Sequence, residues 1–376
     1  MGPHSGRTSV RPLSFFVGME LKMSDRRVRA PLTLALACVL AACAPSAPAP
    51  DAASPATGTG TAGATQTALP DGWQHVAGTD IPRVARSQQD LPVTVQSDDG
   101  VEVTITDTAR TIAGNDDIVM VMDSLGLSDQ VFAAPTNAVT QTGRNAQHHF
   151  LFNRTTGVEG ILSLDGTLFV GNSLRRHGKL AQPLRDAGLA LVIVDELQPI
   201  PDKVRRLATV FGHADEGEQL AAQVQQQLDE AARIAGSHTR KPRVIHISAT
   251  GGGGSPTVGG ADTAAAGVIR LAGGINVGDE AKVANYSQLS NEGIVAVEPE
   301  VILVSEDDLR VFGGADGLWK AYPSLKQTPA GIADRVWVMP DTQLKVSSIG
   351  GGTGAVALAQ ALATLSTELD ANKPGA

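Results

Sequence analysis

The chain has 376 residues, 42% apolar and 18% charged, and carries a net charge of −9 from 39 acids and 30 bases. That length allows two domains at about 100–200 residues each, and the acidic balance argues against nucleic acid as a partner. Both cysteines, Cys38 and Cys43, fall near the start, so neither an internal disulfide nor a cysteine metal site is expected in the folded part.

Residues 1–22 read as an upstream, mis-started extension. Met23 to Arg29 is basic, and Pro31 to Leu40 is an apolar run too short to span a bilayer. Leu40-Ala41-Ala42-Cys43 resembles the bacterial lipobox, in which the cysteine is lipidated and becomes the mature N-terminus. Residues 23–42 are therefore expected to be a lipoprotein signal peptide, with the protein exported and anchored to the cell membrane through Cys43. Residues 43–72, rich in Ala, Pro, Ser, Thr and Gly, read as a flexible tether.

Leu91 to Val95 and Val101 to Thr106 alternate around Asp98-Asp99-Gly100 and predict a β-hairpin. Asp117 to Leu127 predicts a helix and Gln130 to Ala134 a strand. A polar loop holding His148-His149 follows. Leu180 to Ala187 and Asp202 to Phe211 predict helices, with a strand at Leu189 to Val194 between them. Glu216 to Ala235 has apolar residues at Leu220, Val224, Leu228 and Ile234 and is the longest helix expected.

Strand Arg243 to Ile247, a glycine loop from Gly251 to Ser255, and helix Thr263 to Ala272 open the second half. In Asn285 to Val304, Ser290 occupies an N-cap position with Glu292 in the first turn, Pro299 ends the helix, and Val301 to Val304 is a buried strand. A turn at G-G-A-D-G-L-W, strand Arg335 to Met339 and helix Thr353 to Leu369 complete the chain. E-G-I followed by a strand occurs twice, at Glu159 and at Glu292, which suggests two related lobes. Alternating strands and helices indicate α/β lobes with largely parallel sheets. The boundaries expected are 91–212 for the N-terminal lobe, 213–238 for a linker helix and 242–369 for the C-terminal lobe.

Neither Gly251 to Ser255 nor Gly350 to Gly354 is followed by Lys-Ser/Thr at the spacing of a nucleotide phosphate loop. No G-x-S-x-G elbow or H-E-x-x-H appears, and the acids show no pairing for hydrolysis. No enzyme activity is expected, although an α/β cell-envelope enzyme is the alternative from another class.

Residues 91–369 resemble the substrate-binding lipoproteins of bacterial ABC importers, and within them the hemin-binding branch. The resemblance rests on Thr106-Asp107-Thr108-Ala109-Arg110, Gly253-Gly254-Ser255-Pro256, Ile269 to Asn276, Tyr286 to Leu303, Gly313 to Leu318 and Thr328-Pro329-Ala330-Gly331. It implies the class III periplasmic-binding-protein fold, two Rossmann-like lobes joined by one long helix. It also implies hemin as ligand, no catalytic cofactor, no metal beyond the heme iron, a monomer, and an ABC permease dimer with its ATPase as partner. Members bind ferric heme through tyrosine or histidine, so Tyr286, His148 and His149 are the candidate axial ligands. Arg154 and Ser255 are candidates for the propionates and the cleft, and Glu159 and Glu292 for docking onto permease arginines. The first lobe departs from the pattern G-Y-x-R-x-L-S-x-E-G. It reads L-F-N-R-T-T-G-V-E-G, with Phe152 at the tyrosine position and an acidic Gly114-Asn115-Asp116-Asp117 segment upstream. Phenylalanine cannot ligate iron, which leaves a siderophore or a corrinoid as alternative ligands.

Overall fold

The computed structural model describes residues 69–151, 156–249, 251 and 256–371. The export signal, Cys43, Phe152, Arg154 and Ser255 lie outside these.

The described chain begins within the stretch expected to be a tether. Leu69 packs against an apolar cluster that includes Trp73, whose ring meets Trp319 edge-on at 5.9 Å. Strand β1 (Gln74–His75) pairs in parallel with the last strand of the chain. This N-terminal piece is thus built into the second lobe before the chain crosses to the first. A two-residue strand carries no periodicity, so the sequence did not announce it.

The first lobe starts with the expected antiparallel hairpin, β2 (Val93–Gln96) and β3 (Glu102–Ile105). Gly100, at φ 87°, makes its turn. Then follow β4 (Thr111–Ala113), α1 (Asp116–Ser124), β5 (Val131–Pro135), α2 (Gln141–Arg144) and β6 (His148–Phe150). The lobe continues with α3 (Val158–Leu162), β7 (Leu168–Gly171), α4 (Leu174–Asp186), β8 (Ala190–Ile193) and α5 (Ile200–Val210). Its five-stranded sheet runs β6-β5-β4-β7-β8, every pair parallel. All four residues of β7 are buried, as a strand covered on both faces requires. His148 and His149, expected in a loop, instead form part of the edge strand β6.

Helix α6 (Ala214–Ala235) follows. Leu220, Ala221 and Val224 lie in the core of the first lobe, whereas Ala231 and Ile234 lie in that of the second. One apolar stripe therefore serves two cores, and the intervening turns stiffen the connection.

The second lobe comprises β9 (Arg243–Ser248), β10 (Thr257–Gly259), α7 (Ala264–Leu271), β11 (Ile275–Asn276), β12 (Tyr286–Ser287) and α8 (Asn291–Ala296). After these come β13 (Val301–Ser305), α9 (Glu306–Phe312), α10 (Ala315–Ala321), β14 (Val336–Met339), α11 (Asp341–Leu344) and α12 (Gly350–Ala371). The sheet order is β1-β14-β13-β9-β10-β12, with β11 beside the start of β9. Only the pairings of β10 are antiparallel. Ser290 caps α8 as expected, its hydroxyl accepting from Gly293 N at 3.0 Å. Both E-G-I segments form a short helix leading into a central strand, α3 into β7 and α8 into β13. The architecture is the expected α/β fold of two lobes with largely parallel sheets.

Two local expectations fail. In G-G-A-D-G-L-W only Gly313 and Gly314, at φ 82° and 89°, make a turn; Ala315 onward is helix α10. Gly350 to Gly354 form not a loop but the start of α12. A Cβ on Gly354 would lie 2.3 Å from Gln343 O, and one on Gly352 would lie 2.8 Å from Gln227 Oε1, so these glycines let α12 approach its neighbours. Asp116 and Asp117 open α1 and are both buried there.

Candidate functional site

Tyr286 sits half-buried on the edge strand β12, opposite Gly259 of β10. Its ring is held from two sides. Gly251 lies flat against it, since a Cβ there would stand 2.8 Å from both Cβ and Cδ1 of the tyrosine. The edge of His246 meets it at 5.8 Å between ring centroids and 68° between planes. Burial, with the carboxylates of Asp308 and Asp341 acting the same way, pushes the phenol above its ordinary range, so it stays protonated at neutral pH. Among the described residues no group hydrogen-bonds to its hydroxyl. A phenol of this kind suits a cationic, oxygen-seeking partner that replaces the proton.

Behind the tyrosine, Asp308 is fully buried. It accepts from Ser248 Oγ at 3.0 Å, Ala249 N at 2.9 Å, Ser305 Oγ at 2.9 Å and Lys345 Nζ at 2.8 Å. Burial alone would raise this carboxyl; Lys345 and the hydrogen bonds outweigh it and hold it below the usual range. His246, fully buried in β9, is pushed down to about 4 by burial, with Asp308 opposing and Lys345 assisting. A hydrogen-bond partner for either of its ring nitrogens is absent among the described residues. The sequence reading passed over His246, Asp308 and Lys345. A histidine inside an otherwise apolar strand was the one visible signal.

The lobes touch beside this site. Arg144 of α2 reaches Asp307 of α9 at 2.7 Å, and Lys203 of α5 donates to Ser347 O ahead of α12. Lys203 also pairs with Asp117 at 3.3 Å, and Ser348 Oγ donates to Asp117 O at 2.9 Å. The two acids of the Gly114 to Asp117 segment are therefore spent on the lobe junction and inside the first lobe. Asp116 accepts from Val139 N, Thr140 N and Thr140 Oγ1.

The two histidines of β6 point to opposite faces, as strand alternation dictates. His148 packs on Phe132 at 4.7 Å, while His149 is exposed and meets Gly143 O at 3.1 Å. Neither contacts Tyr286 among the described residues. Glu159 and Glu292 are both exposed, each in the first turn of its repeated helix, and neither joins an ion pair among the described residues. No group of three His, Cys, Asp or Glu is placed to hold a metal ion among them. A cavity of about 840 Å³ lies elsewhere, between residues 77–83, α6 and α12. Glutamines dominate one wall and neither tyrosine nor histidine lines it, so the tyrosine site is the stronger candidate for an iron-bearing ligand.

Residues 112–342 match the family model described as periplasmic binding protein. The fold is similar to that of the periplasmic heme-binding protein RhuT from Roseiflexus sp. RS-1, at 30% identity and TM-score 0.61, covering 69% of this chain and 100% of that one. It is also similar to the heme binding protein HmuT, at 24% identity and TM-score 0.64, covering 78% and 97%. For the periplasmic heme binding protein HutB of Vibrio cholerae the values are 24% and 0.55, covering 69% and 99%. At those last two identities the likeness concerns the fold. No curated protein matches the chain.

Proposed function

The chain belongs to the periplasmic binding protein family, and from that membership we propose that it captures hemin between its lobes and delivers it to an ABC permease. It carries its ligand and does not transform it. The observation that carries the reading is Tyr286: a half-buried phenol without a hydrogen-bond partner among the described residues, backed by carboxylates. Those carboxylates disfavour a bare phenolate, yet they favour a ferric centre that supplies the compensating charge. RhuT, 30% identical, is a heme-binding protein by name, which supports the choice of ligand.

In this reading Tyr286 is an axial ligand. His149, exposed at the edge of the first sheet, or His148 beside it supplies the second donor when the lobes close. The propionates and the cleft wall are assigned to Arg154 and Ser255. Titrating the exported protein with hemin should give a saturable one-to-one change with a ferric charge-transfer band, and Tyr286→Phe should abolish that band. Retention of both affinity and spectrum in the variant would remove Tyr286 as ligand. Absence of any saturable change would move the ligand to a siderophore or a corrinoid.

Cys43 is read as the lipid attachment point, which keeps a monomeric carrier at the membrane. Glu159 and Glu292 are read as the docking charges, one exposed carboxylate on each lobe, matched to basic pockets on the two halves of the permease. Reversing both to lysine should leave hemin titration unchanged and stop uptake by cells; uptake at the parent rate would exclude docking through them.

A further inference from the structure

Resting on Tyr286 as the ligating group, we propose that Asp308 is its positioning residue, fixing the end of β9 and through it Gly251, which packs on the ring, and tying both to the segment that meets the first lobe. Its two carboxylate oxygens divide the work. Oδ1 takes Ser248 Oγ, at the end of β9, and Ala249 N, the residue after it. Ser248 Oγ in turn accepts from Gly251 N at 3.1 Å, and Gly251 is the residue packed flat on Tyr286. Oδ2 takes Ser305 Oγ and Lys345 Nζ. Two and three residues beyond Lys345, Ser347 O accepts from Lys203 of the first lobe and Ser348 Oγ donates to Asp117 O.

A continuous set of contacts therefore runs from the lobe junction through Lys345, Asp308, Ser248 and Gly251 to the tyrosine. Burying a carboxylate completely is unfavourable without such partners; Ser248 and Ala249 lead toward the seat of Tyr286 and Lys345 toward the junction, while Ser305 Oγ caps the helix that carries Asp308. Groups that orient a metal ligand from behind affect metal affinity without touching the metal.

The protein has two tyrosines, and the hydroxyl of the other, Tyr322, is buried with no partner among the described residues. Tyr322→Phe therefore makes Tyr286 the single reporter at small structural cost. In that full-length background the rate of nitration by tetranitromethane reads the seating of Tyr286 with no hemin present. Ser248→Ala and Asp308→Ala should raise the rate severalfold, while Asp308→Asn, which keeps an acceptor for Ala249 N, should stay nearer the parent. Hemin affinity should fall roughly tenfold in the two alanine variants, with a displaced charge-transfer band.

Cooperatively melting alanine variants that nitrate at the parent rate would overturn the proposal. If Asp308→Ala does not fold, Ser248→Ala decides alone. Faster nitration in a series where not even the parent binds hemin would uphold the positioning and remove the hemin reading.

Discussion

Each lobe buries a lysine–aspartate pair and a histidine packed against a glycine, and puts them to different use. In the first lobe Lys203 and Asp117 are sealed, at 0% and 3% side-chain exposure; Lys203 Nζ and Asp117 O bond across the junction to the second lobe, while Asp117 Oδ1 accepts from Asn172 Nδ2 and Ile118 N within the first. In the second lobe Lys345 keeps 16% exposure over a fully buried Asp308, and bonds from that aspartate lead to a tyrosine that is only half-buried. The histidines repeat the contrast. His177 packs against Gly171 and accepts amide hydrogen bonds from Asn172 and Ser173. His246 packs against Gly259 in the same manner, but its ring turns an edge to Tyr286. Similar buried charge thus serves as a lock in one lobe and as a support for an accessible donor in the other. A buried ion pair gains little net stability over apolar packing, so a role beyond stability is the physical reading of both.

The comparison is broken most sharply by removing one partner of each pair. Lys203→Met leaves Asp117 sealed without its cation and should lower unfolding stability by about 3–5 kcal/mol. Lys345→Met should cost about 2 kcal/mol, because Asp308 keeps three hydrogen-bond donors and its lysine is partly exposed, where Asp117 keeps two and is sealed. Denaturant melts of the two variants measure both, and equal losses would erase the distinction.

The histidines should behave alike, which tests the shared half of the comparison. Burial, helped by Arg176, pushes His177 down to about 4, and burial does the same to His246. Both folded values lie below the unfolded 6.5, so the unfolded chain binds more protons between these limits. Their contribution is complete above pH 6.5 and is lost as pH falls toward 4, at about 3 kcal/mol for each histidine. Asp116 and Asp341, pushed up mainly by burial, act in the opposite sense at the acid end. Glutamine at either histidine should therefore flatten the slope of stability against pH; an unchanged slope would show that the ring is charged in the fold.

The smallest effect is expected at the Arg144–Asp307 contact, where the lobes meet in partly exposed surroundings. Arg144→Ala should cost under about 1 kcal/mol, with the difference from the parent vanishing in high salt. Fluorescence transfer between labels on the two lobes should show a wider separation at low salt only. Widening that persists at high salt would assign the lobe spacing to the Lys203 junction instead.

Much of the fold was legible because periodicity survives in single segments. The hairpin at Val93 to Ile105, the long stripe from Leu220 to Ile234 and the apolar run at Val301 all reappear as read. The strands that escaped notice, Gln74–His75 and His148–Phe150, are edge strands, too short or too polar to carry a pattern. Tyr286 could be singled out because tyrosine is rare here and stands in a recognisable segment. Its support could not, since Asp308 is far from Ser248 in the chain and looks like any first-turn acid.

By itself, then, the sequence determined the alternation of strands and helices, the stripe of the linking helix and the Ser290 cap, all of which depend on residues within a few positions of one another. Which acids would be buried, which histidine would stand beside the tyrosine, and why four glycines begin a helix were decided only by tertiary structure. Desolvation and close approach depend on what the rest of the chain brings to within a few ångströms, and no local pattern encodes that.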